Sequence, residues 1–236
     1  MAAAPTPRHA LILADGAAPT RASLDAAWPG WDADIGYVVA ADGGARHAVT
    51  LGLQPDRWVG DGDSIDTDAL EALAAAGVAI DRVPVEKDES DLELALLAAL
   101  EAGADAVTIL GALGGVRIDH ALANVGLLGH PALGGRLAWL YDEQAARISL
   151  LVAPTVAGRP AWRELAGRVG DLVSLVPAGE SAQAVTTRGL RYPLVDEPLI
   201  LGRTRGVSNV RTEPVARISL ESGRLLLIET PATIRP

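Results

Sequence analysis

Short apolar runs alternate with helical patterns along roughly the first 140 residues. The apolar runs predict strands at 9–16, 35–44, 56–63, 78–84, 105–115 and 136–142. Helical patterns lie between them, at 45–52, 67–77, 90–103 and 119–129. Alternating strands and helices predict a parallel sheet with right-handed crossovers. Because ligands bind beyond the carboxyl ends of such strands, we expect the loops after the strands to form one functional rim.

Helix-boundary residues support two of these helices. Thr67 is a candidate N-cap for the 67–77 helix, with Gly77 as its stop signal. Ser90 and Glu93 form a capping-box pattern at the start of the 90–103 helix, and Gly103 ends it.

The pattern changes after about residue 143. Short β-like runs are broken there by Gly, Pro and Asp or Ser at a spacing of roughly 8–12 residues, which predicts an antiparallel sandwich or barrel. We therefore divide the chain into a flexible tail at 1–8, an α/β domain at 9–143 and a β domain at 144–236.

Composition excludes several functional classes. The net charge is −10 and the chain has a single lysine, so a basic surface for nucleic acid is not expected. The absence of cysteine rules out disulfides, zinc thiolate sites and thiol catalysis, and it fits a reducing cytoplasm. No apolar run approaches the ~18 residues of a membrane span, so we expect no membrane partner.

The segment GDGDSID at 60–66 carries the first candidate chemistry. Asp61 and Asp63 are two residues apart, so in an extended segment their carboxylates point the same way. Such a pair suits a hard divalent ion such as Mg²⁺, which takes carboxylate, phosphate and water oxygens. A solvated Asp/Gly turn is the alternative.

The segment EKDESDLELAL at 86–96 is the second candidate. Asp91 opens a predicted helix, where an acidic residue also simply complements the helix dipole. In the functional interpretation, Lys87 and Asp88 precede the helix, the lysine meets a phosphate, and Asp91 faces a metal.

Two glycine-rich turns follow strands in the same way. In GALGGVRIDHALAN, Gly111, Gly114 and Gly115 would let backbone N–H groups approach a phosphate. ADGG at 41–44 also follows a strand, although by itself it is only a turn.

Three polar residues follow the first of these turns. Arg117 offers a guanidinium fork for phosphate oxygens. Asp119 is alternatively a helix N-cap, and His120 is alternatively a structural histidine.

Together these segments resemble the thiamine pyrophosphokinase (thiamine diphosphokinase) family. The resemblance rests on AADGGARHA, VGDGDSI, EKDESDLELAL, GALGGVRIDHALANV, GDLVSLVP, TTRGLRYPL and GVSN, in family order over roughly residues 9–230. One departure is Val116, an extra residue before Arg117 that changes the expected aim of that side chain.

The resemblance implies an N-terminal three-layer α/β domain with a mostly parallel sheet that binds ATP, followed by a C-terminal antiparallel β-sandwich that binds thiamine. It implies transfer of a pyrophosphoryl group from ATP to the hydroxyl of thiamine, with Mg²⁺ as cofactor and AMP as the second product. An aspartate at the rim is the candidate acceptor of the hydroxyl proton.

The resemblance also implies residue roles. The metal ligands are Asp42, Asp61, Asp63 and Asp91. The catalytic set is Asp61, Asp63, Lys87, Asp91, Arg117, Asp119 and His120. The nucleotide- and thiamine-binding set is Asp42, Gly43, Gly44, Ser64, Asp88, Gly114, Gly115, Tyr192, Ser208 and Asn209.

Thiamine would bind in a cleft completed across a homodimer, near Tyr192, Ser208 and Asn209. Without the resemblance, Tyr192 fits sheet packing and the Ser208–Asn209 pair fits a turn. Two other functions stay open: a diphosphokinase for another hydroxymethyl heterocycle such as hydroxymethylpterin, and a non-catalytic nucleotide or metal sensor.

Overall fold

A computed structural model describes residues 9–154 and 160–234. The tail predicted at 1–8 lies outside these ranges. The chain divides into two compact units after Ala145. The change of sequence pattern near residue 143 lies beside this division.

The first unit contains a parallel sheet. Its described strands are β1 His9–Leu13, β2 Ile35–Ala41, β3 Arg57–Gly60, β4 Ala79–Arg82, β5 Ala106–Leu110 and β6 Leu137–Tyr141. They lie in the order β6-β5-β1-β2-β3-β4, and every neighbouring pair runs parallel. Strands β1 to β4 extend the sheet in one direction and β5 begins the other side, so the topological switch point lies between β1 and β5.

Helices connect these strands. Those described are α1 Arg21–Ala27, α2 Ala45–Leu51, α3 Thr67–Ala75, α4 Asp91–Glu101 and α5 Ile118–Gly126, with 3-10 turns at Asp42–Gly44, Leu127–Gly129 and Pro131–Leu133. The sequence analysis did not predict α1. Its seven residues bury only Leu24 and Ala27, and its clearest signal is the Thr20 hydroxyl, which caps it by accepting from the Ser23 N–H.

The predicted N-cap of α3 is wrong by one residue, and the alternative in which Asp119 caps α5 is wrong by two. Helix α3 has Asp66 at its N-cap, so Thr67 is its first helical residue. Helix α5 begins at Ile118, so Asp119 lies in the first turn and does not cap it. The predicted cap of α4 is correct, since the Ser90 side chain accepts from the Glu93 N–H.

Helices cover both faces of the parallel sheet. On one face, α1 and α2 pack on β1 and β5 through Leu11, Leu13, Leu24, Leu51 and Leu110. Helix α3 packs beside them in a smaller cluster that contains the fully buried Trp58 side chain. Helix α4 contacts β1, β2 and β3, and its buried residues belong to neither cluster, so it lies on the opposite face. The predicted three-layer α/β architecture is confirmed.

The second unit is a β-sandwich. Its described strands are β7 Arg147–Val152, β8 Ala161–Ala166, β9 Leu172–Pro177, β10 Ala182–Arg188, β11 Glu197–Leu199, β12 Asn209–Val210, β13 Val215–Leu220 and β14 Arg224–Thr230. They form two antiparallel layers, ordered β12-β9-β14-β7 and β11-β10-β13-β8. One core joins the layers, with Leu175 and Leu227 from the first and Ile218 and Leu220 from the second.

Strand β8 was not predicted from the sequence. It lies at a sheet edge, and Leu165 is its only buried residue, while Trp162 and Glu164 are exposed. Such a strand lacks the apolar alternation that identifies half-buried strands.

No helix in the described ranges is long and apolar enough to cross a membrane.

The loops after β1 and β5 touch through their backbones at the switch point. The Gly16 N–H donates to the Gly111 carbonyl oxygen at 2.8 Å. A Cβ atom at Gly16 would lie 2.2 Å from the Gly114 carbonyl oxygen, a backbone atom that has little freedom to move. Glycine at position 16 is therefore required by space.

We expect Gly16→Ala to lower the free energy of unfolding by about 2 kcal/mol, because the methyl group forces the two loops apart. Urea unfolding followed by circular dichroism measures this. Gly126→Ala is the matched control: Gly126 is the last residue of α5 and a Cβ there meets nothing within 4 Å. Equal stability of Gly16→Ala and the parent would contradict the packing argument.

Candidate active site

Three aspartates converge at the carboxyl edge of the parallel sheet. Asp42 follows β2, Asp61 follows β3, and Asp91 is the first residue of α4. One carboxylate oxygen from each lies within 4.8 Å of the others. We call these three residues the acidic cluster. Parallel strands end at the same edge, so residues from distant parts of the sequence meet there.

Lys87 lies between two members of the acidic cluster. Its Nζ donates to Asp61 Oδ2 at 2.8 Å and lies 3.2 Å from Asp91 Oδ1. The second contact is an ion pair without good hydrogen-bond geometry, since Asp91 Oδ1 has no hydrogen-bond partner. The Lys87 and Asp61 side chains are only 12% and 9% exposed. The hydrogen bond from Lys87 holds the pKa of Asp61 below its ordinary value.

Asp42 is the buried member of the cluster, at 4% exposure. Its Oδ2 accepts from the Ser64 N–H at 3.2 Å, whereas its Oδ1 has no hydrogen-bond partner. Burial first, and then the neighbouring Asp63 carboxyl, raise the pKa of Asp42 to about 6. Its backbone φ of 44° is in the left-handed region, which aspartate tolerates better than most residues.

Asp63 lies beside the cluster but is not one of its three members. Its carboxylate is exposed and accepts from the Ser64 hydroxyl at 2.7 Å. Its own N–H donates to Asp61 Oδ1 at 3.2 Å, which closes the turn that follows β3. Asp63 therefore neighbours both Asp42 and Asp61.

The acidic cluster fits a hard divalent cation. Its donors are carboxylate oxygens, which Mg²⁺ prefers over nitrogen or sulfur. Asp42 Oδ1 is buried and lacks a hydrogen-bond partner, a state that costs free energy unless something positive contacts it. The residues at this edge are therefore suited to hold Mg²⁺.

The turn after β2 is packed too tightly for side chains at its glycines. A Cβ at Gly43 would lie 2.2 Å from an Asp15 carboxylate oxygen, and one at Gly44 would lie 2.0 Å from the Leu13 carbonyl oxygen. The backbone of the predicted nucleotide-binding turn is therefore held against the loop after β1.

Asp15 and Arg46 belong to the same edge and were missed by the sequence analysis. Asp15 follows β1 as Asp42 follows β2, each within an Ala-Asp-Gly triplet that was an available signal. Arg46 forms an ion pair with Asp15 and donates to the Gly43 carbonyl oxygen at 3.1 Å. Arg46 thus ties the loops after β1 and β2 together.

Arg82 is a second missed cation. It ends β4 opposite Gly60, and its guanidinium lies 3.5 Å from the position that a Cβ of Gly62 would take. Within the described ranges it is exposed and makes no ion pair. A free guanidinium beside the Asp61 loop is suited to contact an anionic ligand.

The loop after β5 places its predicted residues in solvent. Arg117 donates to Asp119 from Nε at 2.9 Å and from Nη2 at 2.5 Å, and this pairing lowers the pKa of Asp119. Both side chains are 61% exposed, and Val116 and His120 are exposed as well. In the described chain none of these residues bonds to the acidic cluster.

The remaining residues of the predicted set lie nearby in sequence but make few contacts. Gly114 packs on Ala17 of the loop after β1, and Gly115 is exposed with a φ of 114°. Asp88 is exposed.

The Asn124 amide donates to the Ala112 carbonyl oxygen at 2.8 Å and so holds α5 to the loop after β5.

The second unit brings Tyr192, Ser208 and Asn209 together. Asn209 Oδ1 accepts from the Tyr192 N–H at 3.0 Å, and its amide donates to the Tyr192 carbonyl oxygen at 2.7 Å. The Ser208 N–H donates to the Ser174 hydroxyl at 2.9 Å. Tyr192 is 62% exposed, so sheet packing does not explain it. Asn209 therefore fixes the backbone that presents the exposed ring.

Comparison with known proteins assigns the two units. The protein-family model described as "Thiamin pyrophosphokinase, catalytic domain" matches residues 31–135. The protein-family model described as "Thiamin pyrophosphokinase, vitamin B1 binding domain" matches residues 164–225. The chain is 29% identical over 192 residues to thiamine pyrophosphokinase of Bacillus subtilis (strain 168), covering 81% of this chain and 86% of that protein.

Solved structures agree with these matches. The crystal structure of thiamine pyrophosphokinase from Bacillus subtilis is 25% identical, has a TM-score of 0.78 and is similar over 94% of this chain and 99% of that one. A thiamin pyrophosphokinase family protein from Enterococcus faecalis is 26% identical, with a TM-score of 0.75 and coverage of 94% and 98%.

A parallel α/β unit followed by an antiparallel sandwich, matched respectively by a catalytic and a vitamin-binding domain, defines a diphosphate transferase with a separate binding domain. The chain belongs to the thiamin pyrophosphokinase family, a family of thiamine diphosphokinases.

The raised pKa of Asp42 predicts a pH-dependent stability. Between the ordinary carboxyl pKa and about pH 6, the native state holds a proton on Asp42 that the unfolded chain has released. The contribution of Asp42 to stability is therefore largest below the ordinary carboxyl pKa and falls as pH rises through about 6. In the presence of chelator and above pH 6, we expect the free energy of unfolding of Asp42→Asn to exceed that of the parent by roughly 2 kcal/mol. Below pH 4 this difference should shrink.

Urea unfolding at a series of pH values measures this difference. Asp105→Asn is the matched control, because Asp105 is an exposed aspartate away from the cluster. A stability difference that does not vary with pH would contradict the burial argument.

Proposed function

We propose that the protein transfers the pyrophosphoryl group of ATP to the hydroxyl of thiamine, giving thiamine diphosphate and AMP, with Mg²⁺ as its metal. The observation that carries this proposal is the acidic cluster: Asp42, Asp61 and Asp91 converge, with a buried and unpartnered Asp42 Oδ1, at the ligand-binding edge of the unit that matches the catalytic domain. A triphosphate cannot approach these carboxylates favourably without a cation between them.

The chain's own groups would position ATP around this cluster. Asp42, Asp61 and Asp91 would hold Mg²⁺, with Asp63 adjacent to them. Bound there, the ion would offset the negative charge of the phosphate oxygens. Lys87 and Arg82 supply positive charge at the same edge, and the tightly packed Gly43–Gly44 turn offers backbone close to the ligand.

The proposed reaction is a direct displacement at the β phosphorus. The thiamine hydroxyl oxygen bonds to that phosphorus, and the bond from it to the oxygen bridging the α phosphorus breaks. AMP leaves with the bridging oxygen, and an aspartate carboxylate at this edge takes up the hydroxyl proton. Catalysis of this kind depends mostly on positioning and electrostatic stabilisation, and no covalent enzyme intermediate is required.

The second unit would bind thiamine. Its match to a vitamin B1 binding domain supports this, as does the exposed Tyr192 ring held by Asn209. The Arg191 guanidinium lies 5.6 Å from the ring centre, so a thiamine cation would use the part of the ring that Arg191 leaves open. The homodimer and the cytoplasmic location stay predictions.

A product assay tests the proposed function. With ATP, thiamine and Mg²⁺, we expect AMP and thiamine diphosphate in equal amounts, and we expect Asp61→Asn to lower kcat/KM by about 100-fold, or roughly 2.7 kcal/mol. The reason is that the variant loses one of the three converging carboxylates. Chromatographic separation of the nucleotides and thiamine products measures both quantities.

Asp105→Asn makes the same change of charge outside the cluster and should retain parental activity. Hydroxymethylpterin in place of thiamine tests the alternative substrate. Failure to form thiamine diphosphate, or full activity in excess chelator, would reject the corresponding part of the proposal.

Tyr192→Ala should raise the KM for thiamine by about tenfold while changing the KM for ATP little, because it removes a contact to one substrate only. Initial-rate kinetics with each substrate varied in turn separates the two effects. Trp162→Ala is the control, since Trp162 is another exposed aromatic residue of the second unit. Equal rises in both KM values, together with a lower melting temperature, would show a structural role instead.

A further inference from the structure

Lys87 occupies the place of a cation within the acidic cluster. It is the chain's only lysine, and its ammonium group contacts Asp61 and Asp91, which also belong to the group of converging carboxylates. Its side chain is 12% exposed, so the ammonium group is held in the cluster and does not extend into solvent. Lysine and a divalent ion therefore compete for the same oxygens.

The charge balance around Lys87 is incomplete. One ammonium group pairs with Asp61 and Asp91, while Asp42 completes the acidic cluster and Asp63 lies beside it. Lys87 forms ion pairs with Asp61 Oδ2 and Asp91 Oδ1, but the buried Asp42 Oδ1 has no hydrogen-bond partner. The cluster thus keeps a residual attraction for a cation, although entry of a metal ion requires the loss of two lysine ion pairs.

A nucleotide changes this competition. Its phosphate oxygens offer Lys87 new anionic partners near the cluster, so the ammonium group can leave the carboxylates without becoming unpaired. A metal ion that arrives with the phosphates then meets free carboxylate oxygens. Metal and nucleotide binding would be coupled, and by linkage each would strengthen the other equally.

We propose that Lys87 is a placeholder cation that keeps divalent metal ions out of the acidic cluster until nucleotide phosphates draw it away. The inference rests on the proposed function for the identity of the nucleotide. It makes Lys87 a positioning residue for the metal site, in addition to any contact with phosphate.

The first test is metal binding without nucleotide. Mn²⁺ is titrated into the full-length protein, and free Mn²⁺ is measured by electron paramagnetic resonance. We expect Lys87→Met to bind Mn²⁺ about tenfold more tightly than the parent, a factor typical of coupled sites. Equal or weaker binding by Lys87→Met would overturn the proposal.

Arg82→Met is the matched control for charge. It removes one positive charge at the same edge without vacating the cluster, because Arg82 makes no ion pair in the described ranges. We expect it to change Mn²⁺ affinity without nucleotide by less than about threefold, the weak effect of an exposed charge. If Arg82→Met raised the Mn²⁺ affinity as much as Lys87→Met does, the local net charge would control metal affinity, and not occupancy of the cluster by Lys87.

The second test measures coupling with α,β-methylene-ATP, whose α–β bridge resists transfer. In the parent, we expect this nucleotide to tighten Mn²⁺ binding strongly, and in Lys87→Met we expect a several-fold smaller effect. An equal effect in both proteins would overturn the proposal. If the protein bound no nucleotide at all, the proposed function would fail, while the titration without nucleotide would still decide the role of Lys87.

Thermal unfolding keeps the test informative if Lys87→Met is less stable. Removal of Lys87 leaves Asp61 and Asp91 without their ion pairs, so the melting temperature in chelator should fall. Added Mn²⁺ should restore it and raise it more than in the parent. A variant that loses stability and is not restored by Mn²⁺ would indicate a structural ion pair and contradict the placeholder role.

Discussion

Mutual repulsion of carboxylates is the constraint on which the functional edge of this protein depends. Strands β2 and β3 and helix α4 bring Asp42, Asp61 and Asp91 together because parallel strands end at one edge. At such separations each pair of charges costs about 1 kcal/mol in water and more where water is excluded. The Lys87 ammonium group lies between the Asp61 and Asp91 carboxylates and offsets their repulsion, and the pKa of Asp42 is raised.

Close backbone packing makes this arrangement possible. Gly60 ends β3 so near Asp42 that a Cβ there would meet the Asp42 Cβ at 2.8 Å, and Gly43 lies against the Asp15 carboxylate. Gly16 closes the switch point between β1 and β5 in the same way. These glycines leave room for carboxylates and for a ligand where side chains would otherwise fill the edge of the sheet.

The second unit uses a different principle. Its sandwich has a continuous apolar core, and the unit also buries Arg211 in an ion pair with Glu229 at 2.7 Å. Asn209 bonds to both backbone groups of Tyr192 and leaves the aromatic ring exposed. An exposed ring on a fixed backbone is suited to a flat ligand, because little conformational entropy is lost when the ligand binds.

The sequence by itself determined the architecture. Apolar periodicity and turn residues predicted the parallel strands, helix α4 with its Ser90 cap, and the change to β structure, because those signals are local. It missed α1, whose buried stripe is only Leu24 and Ala27, and β8, whose buried face is only Leu165. Elements that bury so little leave no periodic pattern, and tertiary packing decides them.

The sequence also identified the acidic residues, since their position after strands indicates a common edge. Only the tertiary structure decided how they are paired. It placed Lys87 between Asp61 and Asp91, and it directed Arg117 toward its neighbour Asp119. The Lys87–Asp61 pair joins two separate loops, and no spacing along the chain encodes that distance. The Lys87–Asp91 and Arg117–Asp119 pairs are close in sequence, but only the folded side-chain geometry decides which partner each cation takes.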